Sequence, residues 1–256
     1  MPLLSIEDLK KTYTVGGKTF DALRGVSLHV EDNECVGIIG ESGSGKSTIA
    51  NIVAGRVPAT SGTVHYDGKL LTGKKVDRAA RNTMQMVFQS PTGSFSPRMR
   101  LGTGIREGMC YLSDLPKVQQ EAAVDEMMQR VGLPLEYKSK FVTEISGGEA
   151  QRAAIARAIL IHPKLLICDE VTSALDAEVQ DQLIDLLWEL KQEMGMAFLF
   201  ISHDIRLVRS FCDRAYVLHD GAVVEEGTVQ DLFRHPKDAY TRRLIESAYL
   251  HSVDFE

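Results

Sequence analysis

The chain has 256 residues, 44% of them hydrophobic, and a formal net charge of −6 at pH 7. This ordinary globular composition supports a sizeable core, and the acidic balance leaves no broad basic surface, so nucleic acid is not an expected partner. No apolar run reaches the ~18 residues of a membrane span, and Met1-Pro2-Leu3-Leu4-Ser5-Ile6-Glu7 lacks the basic flank and apolar core of a secretion signal, so a cytosolic protein is expected.

In chain order, the N-terminal third reads as strands and turns. Leu3 to Leu9, Val26 to Val30, Thr63 to Tyr66 and Lys69 to Leu71 are short strand candidates, and Asp67-Gly68 predicts a type I′ hairpin turn between the last two. A small antiparallel sheet is expected. Tyr13 stands just past the first strand, and by itself reads as a packing residue. Cys35, Cys110, Cys168 and Cys212 are widely spaced with no C-x-x-C pair, which predicts buried thiols rather than disulfides or a metal site.

Gly40-Glu41-Ser42-Gly43-Ser44-Gly45-Lys46-Ser47 fits the phosphate-binding pattern G-x-x-x-x-G-K-[ST] at every fixed position. Before it, Cys35-Val36-Gly37-Ile38-Ile39 reads as a buried strand. After it, Ile49, Ile52 and Val53 recur at helical spacing, with Gly55 at the helix C-terminus. Strand, glycine-rich turn and helix are the context that the pattern demands. The glycines let backbone N–H groups close around phosphate oxygens at the positive end of a helix, Lys46 adds a charge, and Ser47 offers a hydroxyl to Mg²⁺. The expected phosphate-binding residues are Gly40, Ser42, Gly43, Gly45, Lys46, Ser47 and Thr48, and the expected ligand is a nucleoside triphosphate with Mg²⁺.

Met84 to Phe88 reads as a strand ending at Gln89, followed by a loop marked by Pro91, Gly93 and Pro97. A helical insertion over about 90–160 comes next, with helices from about residue 101. Its apolar stripe is Val118, Ala122, Ala123, Met127 and Val131, bounded by Gly132 and Pro134. Ser146-Gly147-Gly148-Glu149 has capping-box spacing, and Ile155, Ile159 and Leu160 give the helix an apolar face. Two glycines in a first turn cost roughly 1 kcal/mol each against alanine, and they expose N–H groups at a positive helix end, so a second anion site is expected there.

Leu165 to Cys168 is an apolar strand that ends in Asp169 and Glu170, one carboxylate to hold Mg²⁺ and one to polarise a water. The remainder alternates helix and strand. Val179, Leu183, Leu186, Leu187, Leu190 and Met194 form a stripe, Ala197 to Ile201 is a strand with His203 just beyond, and Tyr216-Val217-Leu218 and Val223-Val224 flank an Asp220-Gly221 turn.

The phosphate loop, Gln89 after a strand, Ser146-Gly147-Gly148-Glu149 leading to Gln151-Arg152, Asp169-Glu170, Ser173-Ala174-Leu175-Asp176 and Ser202-His203-Asp204 occur in one order. That order and spacing resembles the nucleotide-binding subunits of ATP-binding cassette (ABC) transporters over essentially the whole chain. The resemblance implies an α/β fold, a P-loop NTPase (RecA-like) core with an N-terminal antiparallel β subdomain and an inserted α-helical subdomain, all within one nucleotide-binding domain over 1–256. It implies that Tyr13 stacks on adenine, that Gln89 touches Mg²⁺ and senses the attacking water, that Glu170 is the catalytic carboxylate and that Asp169 serves the metal. It further implies that His203 contacts the γ-phosphate, that Asp176 sits at a dimer interface, and that Ser146, Gly147, Gly148 and Glu149 bind the nucleotide of an opposite subunit.

A finer resemblance is to the peptide and nickel importer branch, through Met86-Val87-Phe88-Gln89-Ser90-Pro91, Ser96-Pro97-Arg98-Met99, and His235-Pro236 with Ala239-Tyr240-Thr241. Three departures stand out: Val171 where proline is usual after the catalytic glutamate, Glu149 where glutamine is common, and no cysteine cluster after His235. Val171 lacks proline's fixed φ and so should loosen its turn. The function implied is an ATPase that powers uptake of a small solute, such as an oligopeptide or nickel. Its implied partners are membrane permease subunits, a second ATPase subunit and, indirectly, a solute-binding protein, and its implied place is the cytoplasmic face of the membrane. A non-transport cassette ATPase, such as the component associated with carbon-phosphorus lyase, is the alternative.

Overall fold

The structure, a computed structural model, describes residues 1–72, 78–173 and 175–250, so Ala174 of the Ser173-to-Asp176 motif lies outside the described residues. In chain order it forms β1 (Leu4–Val15), β2 (Lys18–Val30), β3 (Cys35–Ile39), α1 (Lys46–Val53), β4 (Ser61–Tyr66), β5 (Lys69–Leu70), α2 (Arg78–Thr83) and β6 (Met84–Val87). There follow α3 (Leu101–Leu112), α4 (Lys117–Arg130), α5 (Gly147–Ile159), β7 (Leu165–Asp169), α6 (Ala177–Met194) and β8 (Ala197–Ile201). The chain closes with α7 (Ile205–Phe211), β9 (Arg214–His219), β10 (Ala222–Thr228), α8 (Val229–Arg234) and α9 (Ala239–Leu250). It divides into two compact units, Met1–Arg81 with Ala197–Glu256, and Asn82–Met196.

The first unit holds an antiparallel sheet in the order β2-β1-β4-β5. Its strands turn Leu4, Ile6, Leu9, Leu23, Val26, Val64 and Tyr66 inward, with period 2 from Leu4 to Ile6 and from Val64 to Tyr66 and a spacing of three from Ile6 to Leu9, where the register with β2 shifts. β1 runs past the predicted Leu9 to Val15, because Lys10 to Val15 are held by main-chain pairing with β2, Tyr13 opposite Phe20 and Thr14 opposite Thr19, and not by apolar alternation. Asp67 and Gly68 take φ of +49° and +71°, as an I′ turn requires. The same unit holds strands in the order β10-β9-β3-β8, where β3 runs parallel to β8 and β9 and β10 is antiparallel to β9. Every residue of β3 is buried. Burying side chains such as Ile38 and Ile39 contributes about 1.5–3 kcal/mol each.

In the second unit β6 and β7 pair in parallel, Met84 opposite Leu165 through Val87 opposite Cys168. Helix α4 corrects the predicted stripe: Val118 is 78% exposed, and the buried residues are Gln120, Val124, Met127 and Met128, with Val131 just beyond the helix. Gln120 can lie on that face because its amide donates to Leu115 O at 2.9 Å, so positions 120, 124, 127 and 131 set the phase and Val118 and Ala122 fall outside it. The expectation of buried thiols outside disulfides holds for Cys35, Cys168 and Cys212, but Cys110 is exposed. Helix α3 buries Leu101, Ile105 and Met109, and Cys110 lies one step further round. α6 buries Leu183, Ile184, Leu186, Leu187 and Leu190 and ends at Gly195 with φ +61°.

Candidate functional site

The phosphate loop leaves the end of β3 and enters α1. Gly40 has φ +151°, and a Cβ there would lie 2.1 Å from Leu218 O; Gly45 has φ +108°, and its Cβ would lie 2.6 Å from Ala22 O. No other residue fits these two positions, where the left-handed region and the close backbone approach coincide. Gly221 N–H bonds Ser44 O at 3.0 Å and Ser44 N–H bonds Glu41 O at 3.2 Å, which close the loop from within. Lys46 is 4% exposed, and its ammonium donates to Gly40 O at 2.8 Å and Glu41 O at 2.9 Å.

The other side of this loop is open. A Cβ on Gly43 would meet nothing within 4 Å, and no side chain caps the N-terminus of α1. The Ser44 hydroxyl is buried without a protein partner. Uncapped N–H groups at a helix start, a lysine ammonium and an orphan hydroxyl form a cradle for an anion of phosphate size. Ser42 stands exposed on the loop, while Ser47, exposed, and Thr48, half-buried, occupy the first turn of α1.

Register places one more predicted residue, His203, just beyond a strand end. β3 and β8 are parallel, with Ile38 opposite Ile201, so the phosphate loop and the Ser202-His203-Asp204 segment leave neighbouring strands at the same end, where ligands of open α/β sheets bind. His203 is exposed, and the turn that carries it is fixed by Asp204 N–H bonding Ser202 Oγ at 3.0 Å. Burial works against the Asp204 charge, but the Arg206 side chain and N–H bring its carboxyl below the usual range. Tyr13, on the β1–β2 hairpin, is half-buried; its ring stacks on Phe20 at 5.5 Å, and the Lys11 ammonium lies 4.8 Å from its centroid.

In the second unit the parallel pairing of β6 and β7 brings Gln89 to the Asp169-Glu170 turn. Gln89 Nε2 donates to Ser173 Oγ at 3.5 Å, and Ser173 Oγ and N–H both bond the Glu170 carbonyl, at 3.0 and 3.2 Å. Glu170 itself has φ +50°, a left-handed conformation rare outside glycine. The turn is closed without a proline, since Ser173 ties it and Val171 is 2% exposed. Asp169 is buried at 7% exposure. Among the described residues no group of three or more His, Cys, Asp or Glu could hold a metal. The predicted donors Ser47, Gln89 and Asp169 offer hydroxyl, amide and carboxylate oxygens, which suit a hard cation that also binds phosphate and water.

Ser146 caps α5: its Oγ accepts Glu149 N–H at 3.3 Å, and Glu149 Oε2 accepts Ser146 N–H at 2.8 Å. Tyr137 O–H donates to the other Glu149 oxygen at 3.0 Å. The Ser146 N–H foremost, and these hydroxyls with it, hold the Glu149 carboxyl below its ordinary range. Gly148 is required by packing, since a Cβ would lie 2.9 Å from Val179 Cγ1, whereas a Cβ on Gly147 would meet nothing within 4 Å. Asp176 caps α6 by accepting Val179 N–H at 3.0 Å. Sequence reasoning did not find the brace from Ser173 or the partner role of Tyr137; Ser173 stood inside a recognised motif, and Tyr137 carried no signal.

Residues 23–173 match the ABC transporter family. The chain is 41% identical over 254 residues to the oligopeptide transport ATP-binding protein OppF of Escherichia coli (strain K12), covering 98% of this chain and 76% of that protein. It is 40% identical over 266 residues to OppF of Salmonella typhimurium, covering 99% of this chain and 80% of that protein. Among solved structures it is similar to a dimeric ATP-binding cassette in a post-hydrolysis state bound to ADP and Pi, with a TM-score of 0.81, 28% identity, and coverage of 88% of this chain and 98% of that one.

Proposed function

The chain belongs to the ABC transporter family, with the α/β fold of its ATPase cassettes, and on that premise we propose that it is the ATP-hydrolysing subunit of an importer that takes up oligopeptides through a membrane permease. The observation that carries the reading is the braced glycine loop, closed on its inner side, open at Gly43 and the uncapped start of α1, with the buried Lys46 ammonium held against its carbonyls. The whole chain, 1–256, is taken as one nucleotide-binding domain.

In this reading the backbone of Gly40, Ser42, Gly43 and Gly45 and the side chains of Lys46, Ser47 and Thr48 bind the phosphates of ATP, and Tyr13 stacks on adenine. Ser47, Gln89 and Asp169 hold Mg²⁺, which when bound offsets the charge of the phosphate oxygens. Glu170 accepts a proton from the attacking water as its oxygen bonds the γ-phosphorus and the bond to ADP breaks, while Gln89 and His203 orient water and γ-phosphate. A second cassette subunit contributes its own Ser146, Gly147, Gly148 and Glu149 to that nucleotide, with Asp176 at the shared interface. Among the described residues no helix is long and apolar enough to cross a membrane, so permease subunits hold the chain at the cytoplasmic face. A solute-binding protein acts only through that permease.

The test is copurification with integral membrane subunits, followed by reconstitution in vesicles with a solute-binding protein. Peptide-stimulated ATP hydrolysis and peptide uptake are expected. Hydrolysis without membrane partners, unmoved by peptide, would leave an ATPase but remove the importer.

A further inference from the structure

We propose that Tyr240, close to the C-terminus, is a positioning residue of the phosphate loop and so tunes affinity for ATP. The proposal rests on the reading of that loop as the nucleotide site. Tyr240 is 6% exposed, the second residue of α9, and its hydroxyl accepts the N–H of Glu41 at 3.0 Å. Glu41 is the second residue of the loop, directly after Gly40. The Tyr240 ring stacks on His219, with centroids 3.8 Å apart and planes 24° apart. His219 in turn follows Leu218, whose carbonyl is the group that Gly40 approaches too closely for any side chain. Adjoining residues of β9 therefore support the loop directly at Gly40 and, through the tyrosine ring, at Glu41.

The tyrosine is itself held in place from behind. Asp238 Oδ1 accepts Tyr240 N–H at 2.7 Å and Thr241 N–H at 3.3 Å, which fixes the start of α9. Glu225 on β10 accepts Lys237 N–H at 2.8 Å and Asp238 N–H at 3.0 Å. A continuous line of hydrogen bonds thus joins β10, the 237–241 segment and the loop. A buried tyrosine needs an acceptor or donor for its hydroxyl, and many backbone groups would serve. This one meets an N–H of the loop whose glycines give the chain freedom that ATP must otherwise remove on binding. Burial raises the hydroxyl pKa, so it stays a neutral O–H at physiological pH.

Tyr240→Phe keeps the ring and its stacking but leaves Glu41 N–H without its acceptor. Steady-state hydrolysis should show the KM for ATP raised about three- to tenfold, the scale of one lost hydrogen bond, with kcat within about twofold. Amide exchange at Glu41 in the nucleotide-free protein should quicken, a change that a merely structural role for α9 would not localise to the loop. His219→Ala, which removes the stacking at a half-buried position, should move KM in the same direction and serves if Tyr240→Phe does not fold. Wild-type KM together with wild-type exchange at Glu41 would overturn the proposal, as would a fall in kcat at unchanged KM. Lys46→Ala run alongside separates the two readings: normal ATP binding there overturns both, whereas lost binding there with unaltered Tyr240→Phe kinetics removes Tyr240 alone.

Discussion

The glycine-bearing starts of α1 and α5 are built in opposite ways. At α1 the glycines are compelled from inside the protein: Gly40 and Gly45 have positive φ and lie against the backbone of Leu218 and Ala22, and no side chain caps the helix. At α5 a capping box of Ser146 and Glu149 satisfies the N–H groups of those two residues, and Gly147 has neither a positive φ nor a neighbour that would exclude a side chain. The first is a site completed by its own chain except for an anion. The second keeps a costly glycine that no described neighbour requires, as the proposed approach of a partner's nucleotide would demand.

The largest expected effect sharpens this contrast. Glu170→Gln keeps the shape of the side chain but removes the basic oxygen that the proposed mechanism uses, so turnover should fall at least ~10²-fold, the usual share of a general base, while ATP still binds. With ATP held and not hydrolysed, the α5 start of each copy should stay engaged on its partner. Size-exclusion chromatography in Mg-ATP should therefore show a dimer. Slow turnover without a dimer would leave the chemistry and break the contrast.

Next in size is Gly147→Val. It should fold and bind ATP as the wild type does, since its surroundings are empty, yet hydrolyse about tenfold more slowly, the scale of one hydrogen bond lost at the α5 start. Gly40→Ala, by contrast, should abolish nucleotide binding in a fluorescent-nucleotide titration, because its Cβ would fall on Leu218 O. Equal behaviour of the two variants would erase the distinction.

The smallest effect concerns the cap alone. Ser146→Ala should lower stability by about 1 kcal/mol, read as a shift in denaturation midpoint. The Glu149 carboxyl lies below its ordinary range in the folded chain, so its contribution is present above that range and drains away as pH falls through the lowered value. Acid titration of the denaturation midpoint should show a smaller loss in Glu149→Gln than in the wild type, the remainder coming from carboxyls such as Asp204 and Glu225 that are also lowered.

The sequence was most informative where one physical rule dominated. Cys35–Ile39 and Ala197–Ile201 are fully buried strands, and their unbroken apolar runs gave their ends to the residue. Asp67-Gly68 and Asp220-Gly221 announced their turns because few other pairs take positive φ twice. The capping box at Ser146 was equally legible, being a local pattern. Helix α4 misled, because a buried glutamine satisfied by Leu115 O does not register in an apolar count. The outer half of β1 was hidden for the converse reason, a polar stretch kept straight by its partner strand. Contacts such as Tyr240 to Glu41, 199 residues apart in sequence, leave no trace in any local window.

The parallel neighbours of β3 have a bearing on how the molecule is made. Both β8 and β9 lie far downstream, at 197–201 and 214–219, so when the phosphate loop emerges from the ribosome the strand that launches it has no partner. The segment 82–196 is synthesised in between and can condense while β3 waits. Shortened nascent chains that stop before β9 should thus carry an intact loop sequence and yet no shaped loop, since Leu218 and Gly221, which press Gly40 and Ser44 into place, arrive with the last strands. Competence to hold a nucleotide should in this sense be a late event of translation.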